Sequence, residues 1–321
     1  MKKIKICVVG VGRWGLNHVK TLLSMNISVG CIDKDSSKLN NVYELDPSIK
    51  SFSTIEESFE HNFSGYILAT PASTHTELAK TLISNHKPVL IEKPLALSLQ
   101  ESKQIKSYVD KFAGKVIVGH LLLFHPAINK IKTMIDNGKI GKIQYIYSNR
   151  LNLGKVRKEE NVFWSFAPHD ISVFQYLSSS FPSKTFSIGG DFLQKKIHDT
   201  TITYLKYPNN IQGHIYVSWL HPFKEHRLVV IGTKGTLHFE DSIDKKPIQF
   251  YEKQITKNDD ISTLKNKKPI NINYEQGMPL KNELKYFIDV INGKKVKKAN
   301  IDEGIDVVKI LETASMSLSE L

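Results

Sequence analysis

The chain has 321 residues, of which 40% are hydrophobic and 24% charged, a composition that excludes an intrinsically disordered protein. No apolar run approaches the roughly 18 to 20 residues of a membrane span, and the apolar run after the first residues is short and leads into glycines, which indicates a strand rather than a signal peptide. The two cysteines, Cys7 and Cys31, are too few for a disulfide framework or a cysteine-rich zinc site. We therefore expect a cytoplasmic protein.

The net charge of +12 raises the question of nucleic-acid binding. Only four of the 44 basic residues are arginine, the residue preferred for reading phosphates and bases. The lysine clusters at 265–268 and 294–298 are typical of solvated loops and helix ends. We expect no nucleic-acid partner, although a basic surface can steer anionic small molecules toward a cleft.

The first 33 residues have the pattern of a dinucleotide-binding unit. An apolar strand over 4–9 leads into Gly10-Val-Gly12-Arg-Trp-Gly15, and apolar residues at helical spacing follow. Gly10 permits the tight turn, Gly12 lets the backbone approach a pyrophosphate, and Gly15 lets helix and strand pack closely. Because a bare glycine motif also marks ordinary turns, the surrounding strand and helix carry the interpretation.

Asp33 ends the second predicted strand, 18 residues after Gly15, which is close to where a ribose-binding carboxylate is expected. It would accept hydrogen bonds from a ribose 2′-hydroxyl and repel a 2′-phosphate. The sequence therefore favours NAD over NADP, a preference that the neighbouring Lys34 could soften.

Strands and helices continue to alternate up to about residue 119. We predict strands over 65–69, 87–91 and 115–119 and helices over 73–84 and 98–112. This α/β alternation predicts a doubly wound parallel (Rossmann) sheet in a domain spanning 1–123. Ligands of such sheets bind beyond the carboxyl ends of the strands, where the following side chains fall: Thr70, Glu92, Lys93 and His120.

Residues 124–321 are expected to form an α+β domain for substrate binding and oligomerisation. Alternating apolar runs predict an open, largely antiparallel sheet; the runs span 142–150, 184–193, 199–206, 211–219, 227–232 and 235–239. Two helices are predicted at 280–291 and 301–318. The segment 253–270, rich in lysine and asparagine, is predicted to be a mobile loop.

Three motifs together resemble the glucose–fructose oxidoreductase / inositol dehydrogenase / MocA family. They are Gly10–Gly15, the segment from Thr70-Pro71 to His75, and Glu92-Lys93-Pro94, which is the most specific. The resemblance covers the whole chain and implies an NAD-dependent dehydrogenase that acts on a secondary alcohol. The cofactor-binding candidates are Gly10, Gly12, Arg13, Trp14, Gly15, Asp33, Thr70, Pro71, His75, Glu92 and Lys93.

Within the family, Lys93 matches the active-site lysine and His169 the histidine that follows the middle of the chain. Inositol dehydrogenases carry an aspartate four residues before that histidine, where this chain has Ser165. This departure fits better with the sugar-nucleotide branch. Segments at 149–158, 161–169 and 218–224 look like those of UDP-N-acetylglucosamine and UDP-N-acetylglucosaminuronate 3-dehydrogenases. The likeness implies oxidation of the sugar 3-hydroxyl to a ketone. A partner aminotransferase would then convert the ketone to an amino sugar for lipid A or surface polysaccharide.

The pyrophosphate of a sugar nucleotide requires cations. The substrate-binding candidates are His120, Arg150, Asn152, Arg157 and His169, with Lys155 and Lys158 as further cations. Taken one at a time, each of these cations fits a charged strand edge as well as it fits a substrate site. The sequence has no histidine–cysteine cluster with metal-ligand spacing, so no metal is expected. An open sheet needs a cover, so by family resemblance a homodimer or homotetramer is expected.

Three alternatives remain open from the sequence alone. A 3-ketosugar-nucleotide reductase would run the same chemistry backwards with NADPH, a cofactor that Asp33 disfavours. A polyol or sugar dehydrogenase of the same family is the second. A non-catalytic NAD-binding regulatory protein is the third, although such a protein would be expected to have lost Lys93.

Overall fold

The computed structural model describes residues 4–153, 157, 160–258 and 261–318, and for residues 254–258 and 261–266 it describes the backbone. The chain divides into two compact units. The first contains the chain up to Phe124 together with Gly277–Lys309, and the second contains His125–Gln276 and the residues from Ile310 onward.

The first unit is built on a six-stranded parallel sheet with the order β3-β2-β1-β4-β5-β6. This is the strand order of a dinucleotide-binding Rossmann domain, which confirms the predicted doubly wound fold. Its elements are β1 (Lys5–Val9), α1 (Arg13–Ser24), β2 (Ser28–Ile32), α2 (Ser36–Leu45), β3 (Lys50–Phe52), α3 (Ile55–Ser58), β4 (Gly65–Leu68), α4 (His75–Ser84), β5 (Val89–Glu92), α5 (Leu99–Phe112) and β6 (Val116–Gly119), with short 3-10 turns at Phe59–His61, Ala72–Thr74 and Leu121–Phe124.

The second unit contains a nine-stranded sheet in which β7 and β10 pair in parallel and the other pairs are antiparallel. The predicted open, largely antiparallel sheet is confirmed. Its elements are α6 (Pro126–Asp136), β7 (Ile143–Leu153), α7 (Val162–Ser178), β8 (Lys184–Gly190), β9 (Thr200–Lys206), a 3-10 turn (Pro208–Asn210), β10 (Gln212–Ser218), β11 (Leu220–Gly232), β12 (Gly235–Glu240), β13 (Ile248–Asn258), β14 (Ile261–Asn266) and β15 (Ile270–Ile272).

Two helices close the chain, α8 (Pro279–Ile291) and α9 (Ile301–Leu318). Across the described ranges, no helix combines the length and apolar character that a bilayer crossing requires. The predicted positions of both helices agree with the structure to within one residue.

Helix α8 packs on the Rossmann sheet, although the sequence had placed everything after residue 123 in the second domain. Leu284, Phe287 and Val290 are fully buried and share one core with Ile6 and Val8 of β1. The apolar residues of α8 recur at helical spacing, so they form one stripe that the sheet can cover. The first unit is therefore assembled from two distant parts of the sequence.

Most described residues of the segment 253–270 lie in strands, contrary to the predicted loop. Strands β13 and β14 pair antiparallel from Lys253↔Asn266 to Asn258↔Ile261, and β15 pairs with the start of β13. A ladder of backbone hydrogen bonds requires extended backbone rather than apolar side chains. The β-branched residues in this lysine-rich run favour that conformation.

Glu283 of α8 is a fully buried carboxyl, and neither of its oxygens has a hydrogen-bond partner among the described residues. Burial, and after it the nearby charge of Glu92, raises the pKa of Glu283 well above its usual value. The folded protein therefore favours the neutral acid at this position.

Glu283→Gln is expected to stabilise the protein increasingly as pH rises. The unfolded chain releases the Glu283 proton near the ordinary glutamate pKa of about 4.3, whereas the folded chain retains it to higher pH. Stability of the wild type therefore falls with pH between these two values. Urea unfolding at pH 5 and pH 7.5 should show a larger gain for the glutamine variant at pH 7.5, with Glu77→Gln on exposed α4 surface as the control. A glutamine variant that is less stable at both pH values would contradict this account.

Candidate active site

The glycine turn between β1 and α1 leaves no room for side chains at two of its three glycines. Gly10 has φ +84°, a left-handed conformation that favours glycine, and its N–H donates to the Ile32 carbonyl at 2.7 Å. A Cβ on Gly15 would lie 1.9 Å from the Gly10 carbonyl oxygen. These contacts let the start of α1 press against the turn, as the sequence predicted.

Asp33 is fixed at the carboxyl end of β2. Its Oδ2 accepts a hydrogen bond from the Val11 N–H at 2.9 Å, and its Oδ1 accepts one from the Asp35 N–H at 3.0 Å. Lys38 Nζ lies 3.7 Å from Oδ1. From the sequence, Lys34 was the cation expected beside Asp33. The structure adds Lys38, which α2 brings back one turn later.

These residues fit a dinucleotide. Around Gly12, a Cβ would meet no described atom within 4 Å, so the space beside the start of α1 is open to a ligand. Among the described residues, no side chain caps this helix start, whose backbone N–H groups and positive dipole end favour a phosphate. Arg13 is exposed on the first turn of the helix. The Asp33 carboxylate stands at the end of the neighbouring strand, where a ribose would lie.

Lys93 follows β5 and is held in a short turn whose carbonyl groups face His75. The Nδ1 of His75 lies 3.0 Å from the Pro94 carbonyl, and its Nε2 lies 3.0 Å from the Thr70 carbonyl. Burial lowers the pKa of His75, against hydrogen bonds to the backbone that raise it, so the neutral ring is favoured and donates to one of the two carbonyls. The ring thereby links the ends of β4 and β5. Pro71 is exposed in the turn after Thr70.

Glu92, the last residue of β5, is buried and bonded on both carboxylate oxygens. Its Oε1 accepts from Trp14 Nε1 at 2.6 Å and from His18 Nε2 at 2.7 Å, while Oε2 accepts from the Lys93 backbone N–H at 3.3 Å. Burial acts to raise the pKa of Glu92, but the hydrogen bond and charge of His18, then Trp14 and Lys93, lower it overall. The structure thus bonds Glu92 and Trp14, both expected to bind cofactor, to each other.

Two further histidines surround this carboxylate. His18 lies on the buried face of α1 and was not identified from the sequence, because a histidine next to Val19 and one helical turn before Leu22 is typical of an ordinary core position. His120 follows β6, is 1% exposed, and has no hydrogen-bond partner on either ring nitrogen among the described residues. Burial, with smaller effects from Glu92 and Lys93, lowers its pKa to about 4, so the ring is neutral at pH 7.

In the second unit, His169 lies inside α7. Asn161 caps the helix by accepting from the Trp164 N–H at 3.0 Å, and Pro168 stands within the helix. Proline removes one helical hydrogen bond, but the strongly apolar sequence of α7 buries enough surface to continue past it. Ser165 and His169, four residues apart, share one face of the helix.

Arg150 of β7 forms a two-pronged ion pair with Asp170, the residue after His169. Its Nε donates to Asp170 Oδ2 at 2.7 Å and an Nη donates to Oδ1 at 3.2 Å. Two of its five N–H donors are therefore used inside the protein. This ion pair was not predicted from the sequence. The pair ties α7 to β7 on the side where His169 lies.

The remaining substrate-binding candidates are more exposed. Asn152 is half-buried near the end of β7. Arg157 is exposed and pairs with Glu160. Lys155 and Lys158 lie outside the described residues. No group of three or more histidine, cysteine or acidic side chains capable of holding a metal occurs in the part of the chain that the structure describes.

Comparisons with known proteins agree with this arrangement. Residues 4–120 match a family described as an oxidoreductase family with an NAD-binding Rossmann fold, and residues 128–238 match the C-terminal domain of GFO/IDH/MocA proteins. The chain is 26% identical to the scyllo-inositol 2-dehydrogenase (NAD(+)) of Bacillus subtilis over 252 residues, 73% of each chain. It is 23% identical to the myo-inositol 2-dehydrogenase of Thermotoga maritima over 265 residues, 78% of this chain and 79% of that protein.

A solved structure with a similar fold is the UDP-N-acetylglucosamine 3-dehydrogenase GnnA of Acidithiobacillus ferrooxidans. The TM-score is 0.86 at 16% identity, covering 100% of this chain and 99% of that one. At this identity the likeness concerns the fold alone. Together with the two family matches, it accounts for both units of the structure. The chain belongs to the GFO/IDH/MocA family of oxidoreductases, and its first unit is the NAD-binding Rossmann domain of that family.

Proposed function

We propose that this protein oxidises the 3-hydroxyl of a UDP-N-acetylhexosamine-type sugar nucleotide to a ketone, with Lys93 and His169 as the catalytic residues. The observation that carries the proposal is Ser165, which stands on the His169 face of α7 where polyol-oxidising relatives are expected to carry an aspartate. A buried serine cannot supply the carboxylate of a lysine–aspartate–histidine trio. The ketone would pass to an aminotransferase. We propose that both reactions take place in a reducing cytoplasm, in which the buried Cys7 and Cys31 stay free.

Oxidation of a secondary alcohol requires that its hydroxyl proton leave as the hydride departs. NAD, when bound, supplies the hydride acceptor. Lys93 is proposed to hydrogen-bond the reacting hydroxyl and His169 to accept its proton, directly or through a short relay, and the two roles could be exchanged. A histidine titrates near the working pH without further help. Asp33 and the start of α1 are proposed to hold the ribose and the pyrophosphate.

The second candidate is a polyol dehydrogenase, because the two curated relatives described above act on inositols. The reductase alternative is disfavoured by Asp33, whose fixed carboxylate would repel the 2′-phosphate of NADPH. The regulatory alternative is disfavoured by Lys93, which is retained at the end of β5.

NADH formation at 340 nm separates these candidates. Purified protein with NAD should turn over UDP-N-acetylglucosamine or its 6-carboxylate, tested with and without 2-oxoglutarate and an aminotransferase that removes the ketone. Lys93→Ala and His169→Ala should each lower kcat by about a hundredfold or more, since a positioned acid or base contributes roughly 10²- to 10⁴-fold. NAD affinity, measured by calorimetry, should stay nearly unchanged.

Lys103→Ala on the exposed surface of α5 provides the matched lysine control. Turnover of scyllo- or myo-inositol but of neither sugar nucleotide would replace the proposed substrate with a polyol. Near-normal turnover in Lys93→Ala would overturn the catalytic assignment.

Asp33→Ser is expected to weaken NAD and to admit NADP. Removing the carboxylate costs the ribose hydrogen bonds. Lys38, 3.7 Å from Asp33, then keeps Asp35 at 3.8 Å as its acidic partner and is free of the Asp33 charge toward the 2′-position. A loss of about tenfold in NAD affinity corresponds to one charge-assisted hydrogen bond. Calorimetric titration with both cofactors measures the change, with Asp46→Ser at the end of α2 as control. An unchanged ratio of NAD to NADP affinity would remove Asp33 from the site.

The expected homo-oligomer is also a proposal, supported by apolar side chains on the outer face of the second sheet. Ile188 and Ile202 stand opposite each other on β8 and β9 and are 42% and 45% exposed, and Phe186 beside them is 50% exposed. Contiguous exposed apolar surface of this kind is typical of an interface. A second copy of the chain is the occupant we expect.

Ile202→Lys should convert the assembly to monomers, because a lysine charge would be desolvated at the interface. Light scattering coupled to gel filtration gives the mass, and Lys206→Glu at the exposed end of the same strand serves as control. A wild-type monomer, or an Ile202→Lys protein that keeps the wild-type oligomeric mass, would contradict the interface.

A further inference from the structure

The Glu92 carboxylate joins two parts of the first unit that serve different purposes. One oxygen receives the side chains of Trp14 and His18 from α1, the helix whose start faces the proposed cofactor site. The other oxygen receives the backbone N–H of Lys93. A single buried carboxylate therefore connects α1 to the proposed catalytic lysine.

The space around this carboxylate is closely filled. His18 is fully buried, and a Cβ on Gly119 would lie 2.9 Å from Glu92 Oε2 and 3.1 Å from its Cα. Gly119 pairs with Glu92 in the parallel register of β5 and β6. The carboxylate thus occupies the position that a side chain on β6 would take, and it has little freedom to turn away from α1.

We propose that His18 is a positioning residue for Lys93, acting through the Glu92 carboxylate. The imidazole supplies a hydrogen bond and a nearby partial charge that keep the buried carboxylate ionised and oriented. The ionised carboxylate then fixes the Lys93 backbone and places a negative charge beside the lysine ammonium. This proposal rests on the assignment of Lys93 as a catalytic residue in the proposed function.

Several hydrogen-bonding, charged or titratable groups face Glu92 and together set the charge around it. They come from every element packed around it, and they are Trp14 and His18 of α1, His75 of α4, Lys93 after β5, His120 after β6 and Glu283 of α8. His75 and His120 are favoured neutral and Glu283 is favoured as the neutral acid, so they alter the local charge little near pH 7. His18 is the member of this group that bonds the carboxylate and has no other role in the proposed reaction.

The test measures the reactivity of Lys93 directly and needs no substrate. Trace acetylation between pH 7 and 11, quantified by peptide mass spectrometry, reports where the lysine becomes nucleophilic. His18→Leu removes the donor, so Glu92 is more readily neutral and Lys93 loses its proton at lower pH. Labelling of Lys93 at pH 8 should rise at least about threefold, and Glu92→Gln should act in the same direction.

His18→Gln, whose side-chain amide can reach Glu92 with an N–H donor, should restore labelling to near the wild-type profile. Thr21→Val is the control, because Thr21 is another buried polar residue of α1. This variant should leave the labelling profile of Lys93 unchanged. In the Glu92→Gln background, His18→Leu should add nothing, because the residue acts through the carboxylate. If His18→Leu fails to fold, Trp14→Phe removes the other donor and should raise labelling in the same way.

An unchanged Lys93 profile in folded His18→Leu, or a glutamine variant that behaves like leucine, would overturn the proposal. Where a substrate is found, His18→Leu should lower kcat about tenfold, shift the pH profile of kcat, and leave the KM for NAD within about twofold. Absence of turnover in the wild type would count against the proposed function alone, since the labelling result still decides the role of His18.

Discussion

The buried Glu92 carboxylate is the constraint on which the first unit depends. A carboxylate out of water is costly unless its oxygens are bonded, and here both are, by groups from α1 and from the chain that follows β5. Charge-assisted bonds contribute roughly 1.5 to 3 kcal/mol each. The same three contacts fix the start of α1 relative to Lys93, so the helix that faces the cofactor and the proposed catalytic lysine are held by one group.

The second unit also anchors an acid beside a proposed catalytic residue, with an arginine as the donor. Arg150 of β7 and Asp170 of α7 form a nearly buried, two-pronged ion pair beside His169. Such pairs contribute more to orientation than to net stability, because desolvation offsets much of their attraction. In both units, therefore, a proposed catalytic residue is the chain neighbour of an acid that is anchored to another element. This recurrence supports the assignment of Lys93 and His169 as positioned groups rather than surface residues.

Local patterns predicted much of the fold and part of the site. The glycine turn, Asp33 and the strand end at Lys93 could be found because each depends on residues close together in sequence, at spacings set by strand and helix geometry. The bond from His18 to Glu92 spans 74 residues and that from Arg150 to Asp170 spans 20, and no periodicity shows such pairs. The hairpin of β13 and β14 was missed for the related reason that backbone pairing leaves a weak mark in polar sequence.

The return of α8 to the Rossmann sheet has a consequence for synthesis of the protein. During translation the strands β1 to β6 emerge first, but the helix that covers Ile6 and Val8 follows only after more than 150 further residues. Until then one apolar face of the nascent sheet is covered by α1 but lacks α8, and exposed apolar surface of this kind makes chains prone to aggregate. A gene fragment cut at residue 123 would perpetuate that condition, so the NAD-binding unit is inseparable from the C-terminal part of its own sequence.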